Sequence, residues 1–564
     1  MQQHLQSLFP RLVFLLFVLC AVMVGGFIAG VCFHDPDTCW IMATGKWIVE
    51  HGRLPSDDPF SYLRNTDLGQ ARQYLPYQWL CQSIFYIVYS ISGFWGQAAN
   101  YPQDVLVKIA DIQYIDPGLI GVLLLLCLLL LSSFLVLPVV LLRRAGMSPV
   151  SACCLSMLVV FGSGSRFLAR PEAFSYLGLM LLFILLDNFW QLQQDSSDKN
   201  NLFSYMFGAF VLVALWCNLH SGFVTGLVYL LFVLIGFIAD YFCNRKIETA
   251  QFKLNRLKGF LLIFFAAGLG SLISPFGFGL WRYLPELFFM NVNSTIVENQ
   301  PLTATSLLLK PTYYPLTILM ILSLITFART ISSKNVADKL APALVFLLSW
   351  LSSCAMIFSH SRLVPFAILL LVGSTALLWR VQHKQEGSNN SAWQKLSFDM
   401  PGNLLVSLAV LIFGSAGALL MALWIMPPML PQQSIAFRPP YKAITYLAKV
   451  KELGGKDAEF LKTNLFNDPQ YGDVLIWQKP GLAKVFIDTR FDLYGSKYVG
   501  DYQTMLHAET GWRSLLQQYK IGWIFLPKKA PLSIELLKDG AWRIDYEDDY
   551  CVVLSLDSLR LSSR

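Results

Sequence analysis

The chain has 564 residues, of which 55% are hydrophobic and 14% charged, with a formal net charge of +7 and a mean hydropathy of +0.51. A soluble domain is nearer a quarter charged, so the composition excludes one and indicates a polytopic membrane protein. The positive charge calls for no nucleic-acid partner, because membrane proteins gather Lys and Arg in cytoplasmic loops. The 11 Cys include no CxxC pair and lie mostly in apolar stretches, which argues against a zinc site.

In chain order, the first apolar run is Leu12–Phe33, preceded by Arg11. It is too long for the h-region of a signal peptide and reads as an uncleaved first span. Further spans are expected at 117–142, 148–165, 172–190, 203–219, 222–240, 258–275, 313–330, 340–358, 362–380 and 403–426, about eleven in all. Trp79–Trp95 carries Gln82, Ser83, Ser90 and Ser92 between aromatic rings, and reads as an interfacial helix over 79–97. With that helix on the surface and the N-terminus inside, the basic clusters share the cytoplasmic side. They are Arg143-Arg144, Arg245 to Lys258, Arg329 to Lys339 and Arg380 to Lys384.

After Pro427, Pro428 and Pro431 the pattern changes. Residues 438–564 predict a helix near 441–451, strands near 463–466 and 484–487, and helices near 497–507 and 511–519. Strands follow at 522–525, 542–546 and 550–554. The expected architecture is an α-helical polytopic membrane domain over 1–430, with an acidic first external loop at 34–78. An α/β domain over 431–564 follows, placed outside by the odd number of spans.

Candidate functional residues gather on the predicted outer face. Asp35 and Asp37 flank Pro36 just past the first span, where a carboxylate can act as a general base or hold a divalent cation. The other reading is a cap for a helix over Thr38–Glu50. Asp57 and Asp58 precede Pro59 in the same loop; a turn would use them equally well. Asp58 joins Asp35 and Asp37 as a candidate catalytic carboxylate. Arg166, Arg170 and Arg362 sit at outer span ends, against the charge bias, and a lipid-linked phosphate would account for them. Pairing with Glu172 or with the acidic loop would do so too. Asn218, His220, Glu298 and His360 complete the expected binding set. The segment Ile487–Gly495 follows a predicted strand and reads first as an Asp488–Arg490 pair bracing a loop.

The acidic loop, with Asp37, Gly45-Lys46-Trp47-Ile48 and Pro55 to Asp58, resembles the first external loop of GT-C-type glycosyltransferases. With Arg170-Pro171-Glu172, Asn218-Leu219-His220 and Ile487–Gly495, the chain resembles the bacterial polytopic members of that superfamily nearly end to end. The resemblance implies inverting transfer of a sugar from a polyprenyl-phosphate carrier to a glycan, lipid or protein acceptor. The setting it implies is the outer face of the bacterial inner membrane, with the N-terminus cytoplasmic. Asp37 would be the base, Arg170 or Arg362 would meet the departing phosphate with His220 beside it, and the C-terminal domain would bind acceptor or partner rather than do chemistry. The sequence departs from the family's Asp-Glu pair, since Asp37 is followed by Thr38 and preceded by Asp35-Pro36. Asp35 therefore stays open as the base, and so does a divalent metal. A lipid-linked glycan flippase, a surface-glycan polymerase or ligase, and an inactive scaffold are the alternatives. A transporter would set its charges at mid-bilayer with internal repeats, and neither is evident.

Overall fold

The computed structural model describes residues 15, 17–28, 35–62, 75–98, 117–192, 201–243, 247–288, 300–332, 339–385, 411–417 and 440–556. Among its described residues the membrane part is built of helices and the turns between them. In order come α1 (Phe17–Ile28), α2 (Asp37–His51), α3 (Trp79–Ala98), α4 (Gly118–Arg144), α5 (Pro149–Ser163), α6 (Glu172–Leu192) and α7 (Asn201–Leu219). Then follow α8 (Phe223–Cys243), α9 (Ile247–Gly270), α10 (Phe278–Phe288), α11 (Ala304–Leu309), α12 (Tyr314–Ser332), α13 (Leu340–Ser359) and α14 (Val364–Gln385).

Seven helices among the described residues are long and apolar enough to cross a membrane: 118–144, 172–190, 202–219, 223–243, 311–332, 340–359 and 361–382. The apolar helices at 17–28, 79–94 and 149–163 are shorter. The predicted span at 258–275 is shifted. Helix α9 begins at Ile247 on charged residues and stops at Gly270. It carries Arg256 inward, with the guanidinium 4.1 Å over the Trp190 ring and 4.5 Å over Phe237. Most of the predicted 403–426 span lies outside the described residues.

The helical body has a polarity. Helix α6 begins at Glu172 on the candidate-site side. About 22 Å along its axis, at about 1.5 Å per residue, Asp187 receives Arg144 at 2.9 Å and also pairs with Arg380. Lys253 meets Asp240 at 3.0 Å. Basic side chains and candidate acids thus occupy opposite ends of this helix.

Residues 440–556 form a small α/β unit with α15 (Tyr441–Leu453), β1 (Asn464–Asn467), α16 (Pro469–Gln478), α17 (Phe491–Leu506), α18 (Trp512–Gln518), β2 (Ile521–Pro527), α19 (Pro531–Lys538), β3 (Trp542–Glu547) and β4 (Cys551–Leu556). The strand order is β1-β2-β4-β3, with β1 parallel to β2 and the other pairs antiparallel. Alternation along β2 splits the core: Ile524 and Leu526 pack with Phe466, Phe486 and Tyr502 on one face, and Trp523 and Phe525 with Leu465 and Val474 on the other.

The strand expected at 484–487 does not join this sheet. Asn467 of β1 takes over its pairing through a side chain, accepting from the Phe486 amide at 2.8 Å and donating to the Ile487 carbonyl at 2.7 Å. The backbone of Val485 instead forms a parallel bridge to Ser61 of the first loop, donating to the Phe60 carbonyl at 3.0 Å. Ala43 of α2 packs in the Trp523 cluster, and Tyr62 packs against the Phe486 cluster. The first loop and the C-terminal sheet therefore share a core, although hundreds of residues separate them.

Candidate active site

Asp35 stands two residues before helix α2, and its Oδ1 accepts the Asp37 amide at 3.2 Å, which satisfies a donor of the first turn. Gly52, in the left-handed region at φ 63°, ends the helix. The helix start thereby fixes both aspartates, and one cation meets them. Arg170 donates through Nε to Asp35 Oδ2 and through Nη2 to Asp35 Oδ1 at 3.0 Å, and lies 3.1 Å from Asp37 Oδ2. The Asp35 side chain is 5% exposed and the Asp37 side chain 18%. Asp35 is thus spent on the helix start and on Arg170, which leaves Asp37 as the more open carboxylate.

The opposite wall of Asp37 comes from the C-terminal unit. Thr489 Oγ1 lies 2.5 Å from Asp37 Oδ1 and 2.7 Å from Asp473 Oδ2. Asp473 projects from α16 and is fully buried. Burial, reinforced by Asp488 and Asp37, pushes its carboxyl well above the usual range. Next to it, Arg490 forms a buried double pair, at 2.5 Å to Asp488 and at 2.9 and 3.1 Å to Asp58. Tyr494 donates to Asp488 at 2.8 Å. Asp58 does not join Asp35 and Asp37; the structure holds it in this second cluster with Arg490, whose guanidinium lies 5.8 Å from the Trp40 ring and 5.4 Å from the Phe60 ring.

Glu172 leads away from Asp37. It is close to His220, Arg170 and Arg166, the last at 4.0 Å. His220 Nδ1 accepts from the Gly222 amide at 3.0 Å and from Ser175 Oγ at 2.8 Å; Ser175 in turn accepts from Trp216 at 2.7 Å. With Nδ1 filled, the hydrogen-bond network assigns the ring proton to Nε2. Burial, assisted by Arg362 and opposed by Glu172, lowers the pKa of His220 to about 4, so the ring is neutral at working pH.

Arg362 lies in a short turn between α13 and α14, half-buried, with no ion pair or hydrogen bond to its side chain among the described residues. His360 precedes it and is also half-buried. Partial burial and the Arg362 charge lower its pKa. Asn218 is fully employed as a joint. Its Oδ1 accepts from Trp79 Nε1 at 2.8 Å, and its Nδ2 donates to the Ile273 and Ala214 carbonyls at 2.6 and 2.8 Å. It therefore ties α3 to α7 and to the turn after α9. Glu298 lies outside the described residues.

Sequence reading missed Asp473 and Thr489 and undervalued Asp488 and Arg490. The last three stand in the Ile487–Gly495 segment, whose pattern reads first as a braced loop. Asp473 carried one signal: a carboxylate set among Gly472, Val474, Leu475 and Ile476 of a largely buried helix.

A metal does not fit these residues. Among the described residues no three His, Cys, Asp or Glu side chains are grouped to hold an ion, and Arg170 faces both carboxylates where one would bind.

Comparison with solved structures shows what scaffold carries this arrangement. The apo oligosaccharyltransferase of Archaeoglobus fulgidus superposes with a TM-score of 0.50 at 12% identity, over 91% of this chain and 69% of that one. The same enzyme tethered by a disulfide to an acceptor peptide containing the NVT sequon gives 0.52 at 11% identity, over 98% and 75%. The fold is GT-C-like. The similarity covers the helical body and the C-terminal unit alike, and at this identity it speaks for the fold alone. No protein-family model matches the chain, and no curated protein matches its sequence.

Proposed function

We propose that this chain is a membrane glycosyltransferase that moves a sugar from a polyprenyl-phosphate-linked donor to a glycan, lipid or protein acceptor on the extracytoplasmic face. The observation that carries the reading is a row of neighbouring charged and polar side chains on a GT-C-like fold. A partly exposed carboxylate, Asp37, held by Arg170 and Thr489, stands at one end. Beyond Glu172 and the neutral His220 stands Arg362, a cation unpaired among the described residues.

In this mechanism Asp37 takes the proton from the acceptor as its nucleophilic atom bonds to the anomeric carbon. The bond from that carbon to the phosphate oxygen breaks, and the lipid phosphate leaves with the electron pair. A single displacement inverts the anomeric centre. Arg362 neutralises the departing charge, and His220 offers Nε2–H as a neutral donor rather than as an imidazolium. Arg170 holds Asp37 and Asp35 together and keeps the negative charge of the pair near the oxocarbenium-like centre tolerable. Asp35 acts as the anchor of α2, and no step passes through a metal. The row of basic groups at the far end of α6 supports the topology with the site outside.

The test uses the full chain in lipid with radiolabelled polyprenyl-phosphate sugars and a membrane extract as acceptor source. Asp37→Asn is expected to abolish transfer while donor binding persists. Arg362→Ala is expected to weaken donor binding about tenfold or more, as loss of a charge-assisted contact would. Absence of transfer with every donor, or full activity in Asp37→Asn, would refute the proposal.

A further inference from the structure

The hydroxyl of Thr489 sits between two carboxyl groups, 2.5 Å from Asp37 and 2.7 Å from Asp473. A threonine hydroxyl has one proton to give and lone pairs to accept with. Two ionised carboxylates cannot both be bonded to it at such distances, so one carboxyl must itself be the donor. Asp37 faces Arg170 at 3.1 Å and is partly exposed, which keeps it ionised. Asp473 is 0% exposed, has no cation against it among the described residues, and receives otherwise only the long Thr489 amide contact at 3.4 Å. The proton therefore belongs on Asp473. Its hydroxyl donates to Thr489 Oγ1, and Thr489 donates to Asp37 Oδ1.

We propose that Thr489 is a positioning residue for Asp37, its hydroxyl turned by a proton resident on Asp473, so that the C-terminal domain aims the base that the membrane domain carries. The consequence for function rests on the glycosyltransferase reading of Asp37; the protonation of Asp473 does not. The arrangement explains why α16 brings an acid into an apolar core. An ionised carboxylate there would be unsolvated, whereas the protonated one is a well-placed donor. It also explains Gly472, where a Cβ would lie 2.4 Å from the Ile487 carbonyl and would push α16 away from the segment that carries Thr489. The titratable and charged groups around the relay are Asp35, Asp37 and Cys39 on the α2 side, Arg170 before α6, and Asp488 with Arg490 and Asp58 beside it.

The experiment has two arms, both on the full chain in lipid. Infrared difference spectroscopy should show a protonated-carboxyl C=O band that persists above neutral pH and disappears in Asp473→Asn. If the band survives that substitution, the proton is elsewhere and the proposal fails. In the transfer assay, Thr489→Val should lower kcat roughly 100-fold, the order expected for a misaimed catalytic group, with donor KM little changed. Thr489→Ser should restore most of the loss. Asp473→Asn, whose amide still donates to Thr489, should retain activity within about tenfold, whereas Asp473→Leu should behave as Thr489→Val. Wild-type kcat in Thr489→Val, or Asp473→Asn as inactive as Asp473→Leu, would overturn the proposal. Lack of transfer by the wild-type chain would sink the enzyme reading and leave the infrared arm to decide the relay.

Discussion

Ser175 and Gly222 fill Nδ1 of His220, and that small arrangement has a measurable signature in pH. The unfolded ring takes up its proton near 6.5 and the folded ring only at about 4. Between those values the unfolded chain binds more protons, so stability falls as pH drops through the window and is level again below it. The total loss is about 3 kcal/mol, since each tenfold change in proton affinity is worth about 1.4 kcal/mol. His220→Gln is expected to flatten that slope, read as the midpoint of thermal unfolding across the window. Asp473 has the opposite sign. Its carboxyl is raised above the unfolded value near 3.8, so its contribution is complete below that pH and fades as pH rises through the folded value. Asp473→Asn removes this fading. Of the predicted acids at the membrane surface, Asp35 and Asp37 were legible because they stand at a helix start beside Pro36. Their division of labour was not, since it depends on Arg170, which lies 135 residues away from Asp35 in the chain.

Helices α2 and α3 meet at Gly45, where a Cβ would lie 2.0 Å from the Gln82 carbonyl. Backbone cannot yield there as a flexible side chain would, so Gly45→Ala should separate the two helices. The expected destabilisation is about 1–3 kcal/mol, with a larger loss of transfer because α2 begins at Asp37; unfolding midpoint and kcat together check this. Elements with a strong local period were readable from sequence. The helix at 441–453 and the strands at 464–467, 521–527, 542–547 and 551–556 stand within a few residues of their predicted places. The segment 484–487 had the composition of a strand but lost its sheet partner to the Asn467 side chain, a substitution that hydrophobic alternation does not encode. The helices at 469–478 and 531–538 were missed. Each opens on a proline, which sets the first turn of a helix as readily as it ends one. The helix expected at 497–507 stands in place: Gly495, non-helical at φ 77° and ψ 163°, separates it from a short turn that begins at Phe491.

At the scale of the whole molecule, Arg490 joins the first loop to the C-terminal unit by bridging Asp58 and Asp488, all nearly or fully buried. Removing one member of such a cluster strands the others without a partner, at a cost of about 3–5 kcal/mol. Arg490→Met is therefore expected to lower the unfolding midpoint and to open the first loop to protease. Asp58→Asn should do the same more mildly, since an amide can still accept. The overall plan of helical body and α/β unit could be read from composition and period, but the closure of one onto the other could not. Its contacts run between residues such as Asp37 and Thr489, which stand 452 positions apart. That separation also has a meaning in time. During translation Asp37 is made 452 residues before Thr489, the hydroxyl that meets it in the folded chain. A chain halted between the two thus carries the acid without this partner, and the closure of the first loop onto the C-terminal unit waits for the later segment.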